Sequence, residues 1–304
     1  MTNVLKTTVL LAALAGVFIA IGGAIGGLSG MAIAFVVALL MNLGAYWFSG
    51  DIALRMAGAR EVGSDEAPEL HRLLEELATF AQLPSPHVAI IDNPSPNAFA
   101  SGRDANHATV AVTTGLLDLL SRDELAGVLA HELGHVRNHD ILIASVAATI
   151  AGAVTMLANV AQWSMLFGGT GHSQDDEDGN GFGGLLGGLL LIILAPIAAM
   201  LIQMAISRSR EYGADETGAR IHGHPESLAR ALEQLELGTS LRPLPVNPAA
   251  SHLFIVNPFR GMSVASLFNT HPPIAERIRR LREMRQPPRS RLAQTPGVIR
   301  LAPS

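Results

Sequence analysis

The residues with the clearest chemical potential form the run His131-Glu132-Leu133-Gly134-His135. Residues i and i+4 share one face of an α-helix, so both imidazoles could bind one zinc ion. The Glu132 carboxylate could then reach a water molecule held by the ion without being a ligand, as a general base requires. A helix with two exposed histidines needs no metal, but the apolar residues on both sides argue against a solvated face. The run therefore predicts a hydrolytic zinc site.

A zinc site of this kind needs a third protein ligand and an open position for water. His139 lies two turns beyond His131, but a polar residue at a membrane surface explains it better. Glu211 and Asp215 are the stronger candidates, because a helix would place them one turn apart on one face. Glu211 could bind zinc while Asp215 accepts a hydrogen bond from a ring N–H of a zinc histidine. The alternative is a solvated helix with local ion pairs.

The composition indicates an integral membrane protein with a modest soluble part. Only 15% of the 304 residues are charged and 49% are hydrophobic, whereas soluble domains carry about 25% charged residues. No cysteine is present, which excludes thiol catalysis, Cys-ligated zinc and disulfide scaffolds. The net charge of −5 gives no basic character that would suggest nucleic acid.

Long uncharged runs predict the membrane-spanning segments. No charge occurs between Lys6 and Asp51, and the glycine-rich residues 22–30 divide this run into a hairpin of two spans, Thr7–Gly26 and Met31–Ser49. A cleaved signal peptide is the competing interpretation of the first span. The runs Ile141–Gly171 and Gly179–Ser207 predict a third and a fourth span. Buried core helices are the alternative for these two, and their length argues against it.

The arginines set the predicted orientation, because cytoplasmic loops carry an excess of positive charge. Arginines occur just after the second span, just before the third and just after the fourth, whereas the loop 169–183 has none. The 50–140 region and the C-terminal region should therefore face the cytoplasm. Two antiparallel spans would also return the chain to the same face, which brings Glu211 to the histidine motif. A solvated helix does not predict this juxtaposition.

The soluble part between the two hairpins should contain helices and a small sheet. Residues 64–83 have amphipathic helical spacing, and residues 114–120 and 121–140 are predicted helices, the second with a Ser121/Glu124 capping box. His87–Asp92 and Ala108–Thr113 are predicted strands. The segment Asn97–Gly102 (NAFASG) lies between them and is expected at or near a sheet edge, where a substrate could pair as an added strand.

Three motifs in order, VLAHELGHVRNHD, SRSREYGADETGA and FNTHPPIAERIRRL, resemble the HtpX-like membrane zinc metalloproteases, relatives of the CAAX prenyl proteases. The likeness covers roughly residues 1–285. It implies a mostly α-helical integral membrane protein, with four transmembrane helices and a cytoplasmic zincin-like α+β catalytic domain that carries a small β-sheet. The expected units are residues 1–50 (first hairpin), 51–140 (catalytic), 141–207 (second hairpin), 208–286 (catalytic) and 287–304 (Pro/Arg-rich tail).

The resemblance also implies roles for individual residues. One Zn²⁺ per chain is expected on His131, His135 and Glu211, with Glu132 as the base. His271 is a candidate donor to the oxyanion, although a histidine before two prolines could simply cap a helix. The remaining expected contributors are Asp215 and Arg277 beside the ligands, and Asn97, Ala98 and Phe99 in the substrate strand.

The implied activity is an ATP-independent endopeptidase in a bacterial inner membrane, with its site on the cytoplasmic face and damaged or misfolded membrane proteins as substrates. The expected partners are polypeptides and the lipid bilayer, with no nucleic acid and no nucleotide. Two other readings stay open at this point. One is a site-specific protease of the CAAX-processing kind, and the other is a non-enzymatic membrane protein with a structural zinc, against which Glu132 argues.

Overall fold

The structure is a computed structural model that describes residues 3–150, 208–241, 253–256 and 272–284. Most of the third predicted span, all of the fourth, the acidic loop, His271 and the C-terminal tail lie outside the described residues. The elements in chain order are α1 (Asn3–Met56), β1 (Arg60–Glu61), α2 (Pro68–Ala81), β2 (His87–Ile91), β3 (Ala98–Gly102), β4 (Ala108–Thr113), α3 (Thr114–Leu119), α4 (Arg122–Arg137), α5 (Ile141–Ile150), α6 (Arg208–His222), α7 (Pro225–Leu241) and α8 (Ile274–Glu283).

Helix α1 is not a single straight rod. Gly27 has a φ of 56°, in the left-handed region that interrupts a right-handed helix. The Asn42 side chain donates a hydrogen bond to the Leu11 carbonyl over 3.1 Å. In a straight helix these residues would be about 46 Å apart at ~1.5 Å per residue. The chain therefore turns back at Gly27, within the predicted glycine-rich turn.

The second arm of this hairpin carries the membrane signal. Within the described ranges, Gly27–Met56 is the one helix long and apolar enough to cross a bilayer, and only 6% of its most apolar stretch is buried. Large apolar side chains such as Leu40 and Leu43 are exposed along it. The part of this arm from Gly27 to Gly50 carries no charge, and an exposed apolar surface of this length is stable in lipid and unfavourable in water.

The sheet has four strands in the order β1-β2-β4-β3. Strands β2 and β4 are parallel, with His87 opposite Thr109, and β3 runs antiparallel to β4, with Phe99 opposite Ala111. β3 is therefore an edge strand, as predicted. β1 pairs antiparallel with β2 at the opposite edge and was not predicted, because its two residues, Arg60 and Glu61, are polar and exposed.

One core joins the sheet to the helices that carry the candidate site. α2 begins with Pro68 in its first turn and buries the face that holds Leu70, Leu73, Leu74 and Leu77. α4 begins with the predicted capping box, in which Ser121 and Glu124 each bond the other's backbone. Twelve of the 16 residues of α4 are buried, because α2, α6, α7 and the sheet surround it. This central position fixes the histidine motif from all sides.

Candidate metal centre

The three motif residues occupy one buried region of α4. The side chain of His131 is fully buried, Glu132 is 2% exposed, and the His135 side chain keeps 17% of its surface exposed. The two imidazole ring centroids are 4.8 Å apart and nearly perpendicular. The i, i+4 spacing has therefore brought both rings to one point that still has an opening on the His135 side.

Helix α6 crosses α4 with almost no space between the two backbones. A Cβ atom at Gly218 would lie 2.7 Å from the Cα of His131, and one at Gly134 would lie 2.8 Å from the Ala214 carbonyl oxygen. Only glycine fits at such separations. These two glycines, Gly218 on α6 and Gly134 on α4, therefore let the helices approach closely enough for side chains of α6 to reach the histidines.

Glu211 is the α6 residue that completes the cluster. Its Oε2 lies 3.9 Å from His131 Nε2, and its Oε1 lies 3.8 Å from His135 Nε2. One ligand atom from each of the three residues lies within 4.8 Å of the others. The residues that sequence reasoning placed together, across a long stretch of chain, are thus neighbours in the structure.

This donor set fits zinc. Two imidazole nitrogens and one carboxylate are a donor set found in catalytic zinc sites, where a fourth position stays open. Bonds of about 2.0–2.2 Å in a tetrahedron place ligand atoms about 3.3–3.6 Å apart, whereas the ligand atoms here lie within 4.8 Å of one another, so zinc binding would draw the three side chains closer together. His139 is exposed and does not belong to this group.

A carboxylate lies behind each histidine. Asp215 Oδ1 is 2.9 Å from His131 Nδ1, and Asp140 Oδ2 is 3.1 Å from His135 Nδ1. Each Nδ1–H can donate to its carboxylate, which leaves the Nε2 lone pair free for a cation. Asp215 was expected from the sequence, whereas Asp140 was not. The sequence feature that could have pointed to Asp140 is its position directly before the apolar run that begins at Ile141.

Arg277 lies behind Asp215 and is 1% exposed. Its Nε and one terminal nitrogen donate to the two Asp215 oxygens over 2.9 and 2.7 Å, and the other terminal nitrogen lies 3.6 Å from Glu211 Oε2. Burial alone would lower the pKa of Arg277, but the charge of Asp215 outweighs it and raises that pKa. Burial likewise opposes ionisation of Asp215, yet the Arg277 charge lowers the pKa of Asp215. The pair therefore stays ionised behind the histidine.

Glu132 and His135 have shifted acidities. Burial raises the pKa of Glu132 above its ordinary value, although the neighbouring histidines act in the opposite direction. A raised pKa suits a group that must accept and then return a proton. Burial would lower the pKa of His135, but its hydrogen bond with Asp140 and the charge of Glu211 raise it to about 9. In the absence of a cation this histidine therefore carries a proton, which a bound metal ion must displace.

Residues of the expected substrate strand are packed against the chain itself. The Asn97 amide donates to the Val256 carbonyl over 2.8 Å and accepts from the Val256 N–H over 3.3 Å. The Ile255 N–H donates to the Ala98 carbonyl, and Phe99 packs edge-on against Phe254 with ring centroids 5.1 Å apart. The segment 253–256 thus covers the edge at Asn97, Ala98 and Phe99.

The outward N–H groups of β3 are also bonded within the chain. Ala98 N–H donates to Asn97 Oδ1, Ala100 N–H donates to the Glu132 carboxylate, and Gly102 N–H donates to Ser145 Oγ. A substrate strand can therefore pair with this edge only through carbonyls or after displacing one of these groups. The bond at Ala100 also fixes the distance between β3 and the candidate base.

The fold and the site together define a class. Two histidines one turn apart and a distant glutamate surround one point, and a non-ligand glutamate lies beside them on the same buried helix, which is the arrangement of a zinc metallopeptidase of the HExxH type. The comparisons with known proteins agree with this class. Residues 64–285 match Peptidase family M48.

Two relatives show how closely the chain follows this family. It is 58% identical to a protein described as "Protease HtpX homolog" from Syntrophobacter fumaroxidans, over 92% of this chain and 98% of that protein. It is 56% identical to a protein with the same description from Persephonella marina, over 93% of this chain and 97% of that protein. The chain belongs to peptidase family M48 and, within it, to the HtpX proteases, which are membrane proteins.

A solved structure supports the fold alone. The crystal structure of S. mikatae Ste24p resembles this chain with a TM-score of 0.50 at 21% identity, over 92% of this chain. The chain spans 65% of the length of that protein. The fold therefore resembles that of Ste24p, as expected. The predicted third and fourth spans lie mostly or wholly outside the described residues.

Proposed function

We propose that this enzyme is a membrane-anchored endopeptidase that binds one Zn²⁺ per chain on His131, His135 and Glu211 and cleaves misfolded or damaged membrane proteins. The observation that carries the proposal is the convergence of these three residues beside a buried glutamate. A structural site fills all four zinc positions with protein ligands, whereas among the described residues this cluster offers three. A non-enzymatic protein with a structural zinc site would need neither an open zinc position nor Glu132.

The residues of the chain divide the chemistry as follows. Zinc held by the three ligands would supply a Lewis acid for the scissile carbonyl and would acidify the attacking water. Glu132 accepts the proton of that water and then delivers it to the leaving amine nitrogen. Asp215 and Asp140 hold the two imidazoles in the tautomer that presents Nε2. Arg277 keeps Asp215 ionised, and His271 is the proposed donor to the oxyanion.

The proposed cellular location follows from the sequence and the apolar hairpin. The arginines after the second span and before the third support a location of the catalytic residues on the cytoplasmic face of a bacterial inner membrane. An endopeptidase that recognises substrate mainly through the peptide backbone would suit quality control, because it does not need a specific sequence. A site-specific CAAX-type enzyme would need a pocket for one modified end of a chain.

The direct test uses the full chain, purified in detergent in zinc-free buffer and assayed on casein with and without added zinc. We expect zinc-dependent cleavage at many positions within casein. Full activity after verified removal of zinc would contradict the metallopeptidase mechanism. No cleavage of casein, with cleavage of a prenylated peptide, would favour the CAAX-type alternative.

A further inference from the structure

The end of the second α1 arm marks the level of the membrane surface. Tyr46, Trp47 and Phe48 are exposed by 38, 52 and 59%, and Asp51 is the first charged residue that follows. Aromatic side chains with polar edges collect at the boundary between hydrocarbon and headgroups. The boundary therefore falls within these few residues, at the point where α1 leaves the apolar layer.

The end of β3 is attached to α1 at this same level. The Arg103 guanidinium, just after β3, lies over the Trp47 ring at 4.4 Å from its centre. Ser101 Oγ donates to the Gly50 carbonyl over 3.1 Å, and a Cβ at Gly50 would lie 2.9 Å from the Gly102 Cα. The edge strand thus ends in direct backbone contact with the interfacial turn of α1.

The same strand contacts the proposed base at its middle. Ala100 N–H donates to the Glu132 carboxylate, and Ala100 is three residues before Arg103. A strand rises about 3.3 Å per residue, so roughly 10 Å of extended backbone separate the base from the interfacial contact. This length is the upper limit on the height of the base above the interfacial contact.

A second connection ties the metal centre to the same end of β3. His135 bonds Asp140, and the apolar helix α5 begins at the next residue, Ile141. Ser145, on the second turn of α5, is fully buried and bonds both Ser101 Oγ, at 3.0 Å, and the Gly102 N–H, at 3.3 Å. The metal ligand and the edge strand are therefore both tied to the same apolar helix.

We propose that the cleft is held within about 10 Å of the bilayer surface, and that it cleaves polypeptide segments within a few residues of the point where they leave the membrane. The inference rests on the proposed peptidase function and specifies its substrate class. About three extended residues span that height. A membrane-anchored chain presents its first residues to this position at a high effective concentration, which falls as the flexible spacer lengthens.

The test is a set of single-span reporters reconstituted in liposomes with the full-length, zinc-loaded enzyme. Each reporter carries the same unstructured cytoplasmic sequence, separated from its span by a Gly/Ser spacer of increasing length. Cut positions are mapped by mass spectrometry. We expect cuts to stay within about three to six residues of the span. The residues on either side of the cleaved bond should therefore change as the spacer is lengthened.

Casein in detergent serves as the parallel assay, because it has no span. Cleavage of casein together with cuts that follow one sequence at every spacer length would overturn the height proposal and leave the peptidase intact. Failure to cleave both casein and the reporters would overturn the peptidase function itself. The two failures are therefore distinguishable.

A double variant, Trp47→Ala with Arg103→Ala, tests the interfacial contact that sets the height. Neither side chain belongs to the catalytic cluster, so casein cleavage should stay within about twofold of wild type. The reporter cuts should spread over a wider range of distances from the span. Arg72→Ala, an exposed change on α2, is the matched control and should keep the wild-type distribution. An unchanged distribution in the double variant would show that this contact does not set the height.

Discussion

Asp215 Oδ1 lies 2.9 Å from His131 Nδ1, on the side of the imidazole that faces away from Glu211. The same carboxylate accepts two hydrogen bonds from Arg277. Its negative charge is therefore held in place by a buried cation, and its remaining acceptor capacity orients the histidine. The carboxylate thus acts on zinc through the ring, which separates its role from that of the ligands and the base.

Removing this carboxylate charge should weaken zinc binding without removing a ligand. In Asp215→Asn, the side-chain amide can donate to Nδ1 and so favour the tautomer with a proton on Nε2, which cannot bind a cation. We expect a loss of about 10–100-fold in zinc affinity or activity. Competition with a zinc-chelating dye measures the affinity. An affinity equal to wild type would show that Asp215 serves packing alone.

Asp140→Asn is the companion variant on the other histidine. His135 is partly exposed, so water can replace the lost acceptor. We therefore expect a smaller loss of zinc affinity than in Asp215→Asn. A larger loss of zinc affinity in Asp140→Asn than in Asp215→Asn would mean that Asp140 contributes more than Asp215 to orienting the zinc ligands.

Glu132→Gln should abolish peptide hydrolysis and keep zinc bound. The amide has the same shape but cannot accept the proton of the attacking water, and general-base catalysis is typically worth about 10²–10⁴-fold. Casein cleavage and zinc content are measured on the same purified sample. Cleavage at nearly the wild-type rate would remove Glu132 from the mechanism.

The orientation in the membrane is testable because the chain has no cysteine. Single cysteines in place of Ser64, Ser173 and Ser290 are treated in intact cells with a membrane-impermeant thiol reagent. We expect labelling at position 173 alone, since the other two positions should face the cytoplasm. After the cells are opened, all three should react, which is the control for accessibility. Labelling of position 64 in intact cells would put the metal centre on the outer face.

Asp123 is a carboxylate outside the metal centre that should stabilise the fold above acid pH. It accepts hydrogen bonds from His222 and Ser227, and its bond with His222 lowers the pKa of Asp123 to about 2. Because the folded-state pKa lies below the ordinary value of 3.8, this stabilisation is present above pH 3.8. It is lost as the pH falls from there towards 2.

Asp123→Asn should therefore lower the free energy of unfolding at pH 7, by about 1 kcal/mol given the partial exposure of the side chain. The difference from wild type should shrink as the pH approaches 2. Thermal unfolding of the detergent-solubilised protein at several pH values measures it. Asp118→Asn, at an exposed position of α3, is the control and should be near neutral. If the difference in the free energy of unfolding between wild type and Asp123→Asn does not change with pH, the charge of Asp123 does not stabilise the fold.

Local spacing predicted the parts of the structure that depend on local geometry. The pairing of His131 with His135 follows from the pitch of one helix, and the Ser121 cap follows from adjacent residues. The turn at Gly27 lies within a glycine run that stands between two uncharged stretches. The position of β3 at or near the sheet edge was also expected. In the sequence, Asn97–Gly102 connects the two apolar segments that were predicted as strands.

Contacts between distant residues were accessible only where topology constrained them. Glu211 was placed near the histidines because two antiparallel spans return the chain to one face. No comparable constraint linked Asn97 to Val256, so the covering of the β3 edge by residues 253–256 could not be foreseen. Asp140 was missed for a different reason. It comes after the last helical turn of α4, and it reaches back to His135 through a loop in which His139 has a φ of 58°.

Glu211 is the ligand whose assignment depends most on the fold. Two histidines alone would hold zinc weakly at a site that is open on the His135 side. An anionic third ligand both completes the protein's share of the coordination and balances the charge of the ion. Glu211→Ala should therefore lower zinc occupancy together with activity, whereas Glu132→Gln should lower activity alone.

The control lies on the same helix. Glu216 is exposed and pairs with Arg220 one turn further along α6, so Glu216→Ala should change neither zinc content nor activity. Zinc is measured by elemental analysis on folded, detergent-purified variants, and circular dichroism checks that the helices remain. The Glu211 carboxylate is 3.8–3.9 Å from the two imidazole nitrogens, and no other described residue joins this group. Wild-type stoichiometry with tight retention in Glu211→Ala would therefore eliminate Glu211 and place the third ligand among the residues outside the described ranges.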